Sequence, residues 1–142
     1  MSEKVLLVDD EEDFVEALAE RMEARGMDVT TSVTAGDALS KAQEGSYDAI
    51  ILDLQMPQMD GLETLKKIKE IKPELQVILL TGHATVEKGV EAMKLGASDF
   101  LEKPAGLDEL TEKIKKAQAK KMIIVEKKSE ERIKKILIGK AW

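Results

Sequence analysis

The sequence predicts an α/β fold, a parallel sheet with helices on both faces, and two observations predict it. Five short apolar runs alternate with five segments of helical periodicity along the chain, the pattern of strands joined by crossover helices. The third run holds Ala49-Ile50-Ile51-Leu52, apolar without alternation, as a strand buried on both faces must be.

Taken in order, the strands are expected at residues 4–8, 27–31, 49–54, 76–81 and 99–102. Phe14, Leu18 and Met22 stand four apart and put the first helix's apolar stripe on one face. Thr34, followed three residues later by Asp37, is close to a capping box and starts the second helix. Leu62, Leu65 and Ile68 form the third stripe, and Val86, Val90 and Met93 the fourth, which Gly96 ends. Leu107, Leu110, Ile114 and Ala117 form the fifth. Pro57, Pro73 and Pro104 all fall between elements.

A chain of 142 residues is one domain in size with room for an appendage. Hydrophobic residues at 43% and charged residues at 35% exclude a disordered chain. The absence of cysteine excludes a disulfide scaffold and a thiolate metal site. Met1-Ser2-Glu3-Lys4 runs directly into the first strand, so neither a signal peptide nor a membrane span is expected and the cytoplasm is the expected compartment. The net charge of -6 is unevenly spread: residues 1–119 carry 14 basic and 25 acidic side chains, a balance of -11, whereas residues 120–142 carry 8 and 3, a balance of +5. The body therefore repels nucleic acid.

Open parallel sheets bind ligands beyond the carboxyl ends of their strands. The residues just past the runs are Asp9-Asp10-Glu11-Glu12, Asp53, Thr81-Gly82-His83 and Lys103-Pro104. Asp9, Asp10 and Asp53 would converge at one edge, and like charges a few ångströms apart resist joint ionisation unless a cation neutralises them. A hard divalent ion, Mg²⁺ rather than Zn²⁺, suits carboxylates and a backbone carbonyl. The stretch from Asp9 to Glu12 also suits the N-terminus of the first helix, but capping leaves Asp53 and Lys103 on the same edge unexplained. A metal, a carboxylate nucleophile, a hydroxyl and a lysine together form a phosphoryl-transfer set.

With these residues assembled, the chain resembles the receiver domain of two-component response regulators over residues 3–119. The resemblance rests on "VLLVDDE", "DAIILDLQMPQMDG", "VILLTGHA" and "GASDFLEKPAGLDEL" in the family's order and spacing. It implies a flavodoxin-like (βα)5 doubly wound sheet of strand order 2-1-3-4-5. It implies that Asp53 is the phosphoacceptor, that Asp10 and Asp53 ligate Mg²⁺ with Asp9 helping through water, and that the Gln55 carbonyl completes the protein ligands. Thr81 is then the hydroxyl that moves to the phosphoryl group, Lys103 its cationic partner, and Phe100 the aromatic that turns inward with it. The Lys103-Pro104 bond is expected to be cis, with a plain loop proline as the alternative. Gln55 and His83 occupy positions that tune acyl phosphate lifetime in similar domains, although a solvent-facing role is the simpler one for His83. Ala105 replaces a bulky aromatic, and Phe100 lacks the hydroxyl of the tyrosine found in many relatives.

The function implied is a stand-alone, phosphorylation-dependent switch. It would accept phosphate from a sensor histidine kinase, catalyse only its own phosphotransfer and dephosphorylation, and signal to a downstream protein through its fourth helix, fifth strand and fifth helix. An Mg²⁺-dependent aspartyl-phosphate phosphohydrolase is the alternative. It is disfavoured because such enzymes usually carry a second aspartate two residues after the nucleophile, where this chain has Gln55. A flavodoxin-like small-molecule binder would need a phosphate-cradling glycine loop, which the chain lacks.

Residues 120–142 form an extension outside the receiver at residues 1–119. Ile133, Ile136 and Leu137 suit a short amphipathic helix, and residues 122–125 an apolar continuation of the fifth helix. The segment has no room for a helix-turn-helix and too few aromatics for a nucleic-acid platform. Packing on the chain's own body, a homodimerisation arm, and binding to an acidic partner or membrane surface are its three readings.

Overall fold

The computed structural model describes residues 2–56, 59–82 and 86–139. The elements are β1 (Lys4–Val8), α1 (Glu12–Ala24), β2 (Asp28–Ser32), α2 (Ala35–Glu44), β3 (Ala49–Leu52), β4 (Gln55–Met56), β5 (Met59–Asp60), α3 (Gly61–Ile71), β6 (Gln76–Thr81), α4 (Val86–Lys94), β7 (Asp99–Glu102) and α5 (Leu107–Gly139). Five strands pair in parallel in the order β2-β1-β3-β6-β7, which is the 2-1-3-4-5 order of the five predicted runs. The short antiparallel pair of β4 and β5 stands apart from this sheet.

Alternation along the strands divides the core into two layers. Val5 and Leu7 of β1, Ile51 of β3 and Ile78 and Leu80 of β6 face α1 and α5, where they meet Val15, Met22, Leu110 and Ile114. Leu6, Val8, Ile50, Leu52, Val77 and Leu79 face the other way, onto Ala38 and Ala42 of α2, Leu65 and Ile68 of α3 and Ala92 of α4. Burying one large aliphatic side chain contributes about 1.5–3 kcal/mol, and Leu6, Ile50, Ile78 and Leu79 are all fully buried. The central strands therefore hold the residues at their tips on a stiff base.

Local chemistry sets the element ends. The Thr34 side chain accepts a hydrogen bond from the Asp37 N–H at 3.1 Å, so Thr34 caps α2. Asp60 caps α3 in the same way through the Leu62 N–H at 3.0 Å. Gly26 and Gly96 adopt φ of 90° and 105° just past α1 and α4, a backbone region glycine enters without penalty.

The structure revises three expectations. β2 begins at Asp28, because Met27 belongs to the turn and its N–H bonds the Met22 carbonyl. β3 ends at Leu52 rather than at residue 54, because the chain turns away there to enter β4 and β5. The stripe expected on α4 is not buried: Val90 and Met93 are 49% and 47% exposed, while Ala92 is buried and a Cβ on Gly89 would meet the Phe100 ring at 3.6 Å. Small residues, Gly89 and Ala92, form the inner face of α4, and Val90 and Met93 face outward.

α5 is a single helix of 33 residues that passes through residue 119 without a break. Leu110, Ile114 and Ala117 are buried against the body. Farther along, Gln118 Nε2 donates to Asp48 Oδ2 at 3.3 Å, Lys121 Nζ to the Tyr47 carbonyl at 2.7 Å, and Lys128 pairs with Glu74 at 3.6 Å. From residue 125 to 138 every side chain is exposed. No helix among the described residues is long and apolar enough to cross a membrane.

Candidate functional site

Backbone hydrogen bonds beyond the strand ends fix the site. The Asp9 N–H donates to the Ser32 carbonyl at 3.1 Å, the Asp53 N–H to the Val8 carbonyl at 3.1 Å and the Lys103 N–H to the Thr81 carbonyl at 2.8 Å. Each bond extends a parallel ladder by one residue, so these side chains start from positions as rigid as the strands themselves. Because Val8 is paired with Leu52, Asp9 and Asp53 leave adjacent strands side by side. β1 is also where the strand order reverses, between β2 on one flank and β3 on the other, the place at which such sheets open a crevice.

Asp9, Asp10 and Asp53 each offer a carboxylate oxygen, and these oxygens lie within 4.8 Å of one another. Asp9 and Asp53 are buried, at 2% and 4% exposure, and Asp10 is half-buried. Asp9 Oδ1 accepts the Glu11 N–H at 3.1 Å. Lys103 reaches in from the far side, its Nζ 2.6 Å from Asp9 Oδ2, 3.7 Å from Asp53 Oδ2 and 3.9 Å from Glu11 Oε1. Burial disfavours the Lys103 ammonium, yet its hydrogen bond to Asp9 and the charges of Asp9, Asp53 and Glu11 outweigh that cost and hold its pKa above the ordinary 10.5. The same ammonium lies 4.2 Å from the centre of the Phe14 ring, within cation–π range. An all-carboxylate donor set fits a hard, oxygen-preferring divalent ion.

Thr81, at the tip of β6, is fully buried, and its hydroxyl is a buried side-chain polar atom with no hydrogen-bond partner among the described residues. Such a group costs free energy wherever it persists. Phe100 of β7 is half-buried and lies against Gly89. The Lys103-Pro104 bond is cis. Gln55 opens β4, directly after the loop that carries Asp53. A Cβ on Gly61 would lie 2.5 Å from the Leu54 Cα, so only glycine lets α3 approach the residue next to Asp53. Ala105 packs at the edge of the α1–α5 layer. His83 lies outside the described residues.

Asp9, Asp10, Asp53, Gln55, Thr81 and Lys103 therefore fall at the carboxyl edge of the sheet, while Phe100 lies within β7, paired with Leu79. Two contributors were not singled out there. Phe14 reads as a core stripe residue and also flanks the lysine, and Glu11 reads as one more acid in a run. Neither carries a separate sequence signal, because the roles depend on where Lys103 ends.

The model of the response regulator receiver domain matches residues 5–115. The chain belongs to the response regulator receiver family. Among relatives of this receiver, the C4-dicarboxylate transport transcriptional regulatory protein DctD of Rhizobium meliloti is 34% identical over 125 residues, which span 88% of this chain and 27% of that protein. The photosynthetic apparatus regulatory protein RegA of Cereibacter sphaeroides is 37% identical over 109 residues, 75% of this chain and 58% of RegA. The chain thus spans roughly a quarter to a half of these curated relatives. Among solved structures, a CheY-like receiver domain protein from Methanospirillum hungatei aligns with a TM-score of 0.81 at 29% identity, covering 86% of this chain and 98% of its own. A receiver domain protein from Clostridium thermocellum gives 0.82 at 32% identity, covering 87% and 99%. The receiver is a phosphorylation-dependent signalling switch, and these likenesses do not favour the phosphohydrolase alternative.

Proposed function

We propose that Asp53 is the phosphoacceptor of this receiver. The observation that carries the reading is the meeting of Asp9, Asp10 and Asp53 at one crevice with the Lys103 ammonium among them. A carboxylate oxygen of Asp53 bonds to phosphorus as the P–N bond to a phosphohistidine on a sensor kinase breaks. A Mg²⁺ ion held by Asp10, Asp53 and the Gln55 carbonyl, with Asp9 through water, would supply charge neutralisation on the phosphoryl oxygens.

Lys103 then exchanges part of its pairing with Asp9 for a phosphoryl oxygen, close to where it already stands. Thr81 donates its hydroxyl, which has no partner among the described residues, to another. Movement of Thr81 clears space beside β6, and Phe100 turns into it from its seat on Gly89. The surface altered is that of α4, β7 and α5, where Val90 and Met93 are exposed, and a downstream protein binds there. Coupling of this kind is typically about 1–3 kcal/mol, enough to shift a population between two arrangements. Residues 1–119 carry the switch and residues 120–142 the extension. In this reading residues 1–142 work in the cytoplasm, turn over no substrate beyond their own phosphate, and make no direct contact with nucleic acid.

The test is incubation with Mg²⁺ and acetyl phosphate, followed by intact mass of the wild type and Asp53→Asn. The expected result is gain of one phosphoryl group by the wild type alone. Equal labelling of the Asn variant would overturn the assignment.

A further inference from the structure

The crevice is flanked by one aromatic ring that the phosphoacceptor reading leaves without a task. Phe14 stands in the first turn of α1 and packs on the α1–α5 layer of the core, and its ring centre lies 4.2 Å from the Lys103 Nζ. Phe14 is half-buried, and the Lys103 side chain is 15% exposed. The ring therefore stands where water would otherwise solvate one side of the ammonium.

A lysine reaches its target through four flexible carbons, and fixing it in one place costs rotamer entropy. The Lys103 stem passes Gly82, where an added Cβ would lie 4.0 Å from Lys103 Cδ. Around its head stand three carboxylates: Asp9 at 2.6 Å, Asp53 at 3.7 Å and Glu11 at 3.9 Å. Asp9 and Asp53 are buried in the crevice, whereas the Glu11 side chain is 67% exposed and draws the ammonium toward solvent. A carboxylate holds an ammonium by cancelling its charge. An aromatic face attracts it through the ring quadrupole and cancels none, so the charge stays available to an incoming anion.

We infer that Phe14 is a positioning residue for Lys103, whose ring keeps the ammonium inside the crevice while the hydrogen bond to Asp9 is exchanged for one to a phosphoryl oxygen. The inference rests on the reading of Asp53 as the phosphoacceptor. When the Asp9 bond is released, Glu11 competes for the ammonium from the solvent side, and the ring, fixed by the layer beneath it, holds against that pull. Leucine in its place fills much of the same space without the quadrupole, and tyrosine keeps both.

The test has two arms, each on the full chain, with circular dichroism as the check that Phe14→Leu and Phe14→Tyr are folded. In NMR spectra recorded without phosphodonor, the Lys103 side-chain protons, identified by their absence from Lys103→Gln, are expected to be shifted upfield by the ring. The shift should persist in Phe14→Tyr and vanish in Phe14→Leu. With Mg²⁺ and acetyl phosphate, Phe14→Leu is expected to take up phosphate about fivefold more slowly than the wild type, and Phe14→Tyr at close to the wild-type rate. In a Lys103→Gln chain the same Phe14→Leu change should cause no further slowing, whereas a merely structural role would slow both backgrounds alike. Unshifted Lys103 protons in the wild type, uptake by Phe14→Leu at the wild-type rate, or equal slowing in both backgrounds overturns the inference. A wild type that takes up no phosphate on Asp53 overturns the phosphoacceptor reading instead, and the Lys103 shifts, which need no phosphodonor, tell the two failures apart.

Discussion

Replacing Thr81 by valine separates the cost of the site from its use. Thr81 is at 0% exposure, and its hydroxyl has no hydrogen-bond partner among the described residues. A buried hydroxyl left unpaired costs about 1–3 kcal/mol. Valine keeps the shape and the β-branch, so it opens no cavity, and it removes the stranded polar atom in a strand where β-branched residues pack well. We therefore predict that Thr81→Val stabilises the unphosphorylated protein by about 1–2 kcal/mol. For a chain of this size that raises the melting temperature by about 3–8 °C. Urea unfolding measures the first quantity and calorimetry the second, both without phosphodonor. The same variant is expected to take up phosphate on Asp53 while losing the amide shifts that phosphorylation produces across α4, β7 and α5. A less stable Thr81→Val protein would refute the reasoning about the stranded hydroxyl, and full-size amide shifts would refute its role in coupling.

Three other perturbations have defined outcomes. Lys103→Gln leaves Asp9 and Asp53 without their shared cation and should destabilise the metal-free protein by about 2 kcal/mol, below the usual cost of breaking a fully buried pair because the site opens to solvent. Millimolar Mg²⁺ should recover part of that loss, and a melting temperature deficit unchanged by Mg²⁺ would contradict the shared site. The pH dependence has a definite sign: the Lys103 pKa is raised in the folded protein, so its contribution is complete below the ordinary 10.5 and is lost as pH climbs through the higher folded value. Wild type and Lys103→Gln should therefore converge in stability as pH climbs through that alkaline range, as pH-dependent urea titrations can check. Gly61→Ala forces a Cβ toward the Leu54 backbone and should cost about 1–3 kcal/mol or more, with slower phosphate uptake, since Leu54 adjoins Asp53. Thr34→Ala removes the α2 cap and should cost about 1 kcal/mol in urea unfolding without altering phosphate uptake.

The parts legible in the sequence are those whose chemistry is strong and local. Four-residue apolar runs such as Ala49–Leu52 have few ways to be buried other than a parallel sheet, and acids that follow such runs must share an edge. Thr34 with Asp37 was readable because a cap needs only its own turn. The α4 stripe was not, because hydropathy ranks Val90 and Met93 above the Gly89 and Ala92 that form the inner face. What decided burial there was room for the Phe100 ring, a property of β7 and not of the helix. The short pair of β4 and β5 has only two residues in each strand, too few for a periodicity to detect. The continuity of α5 was half-visible: residues 126–132 carry charge without glycine or proline, so nothing stops the helix, but nothing apolar marks it either. That the Thr81 hydroxyl has no partner among the described residues is invisible in the sequence, since it depends on which groups the fold brings near.

The unbroken α5 also gives the domain a mechanical gain. Its 33 residues make a rod about 50 Å long at about 1.5 Å per residue, packed on the body over its first half and exposed from residue 125 to 138. A tilt of about 5° at Ile124, the last half-buried position of the helix, sweeps the far tip by about 2 Å. A small change in the direction of the helix is therefore felt most at a tip that no other element among the described residues holds, far from the crevice.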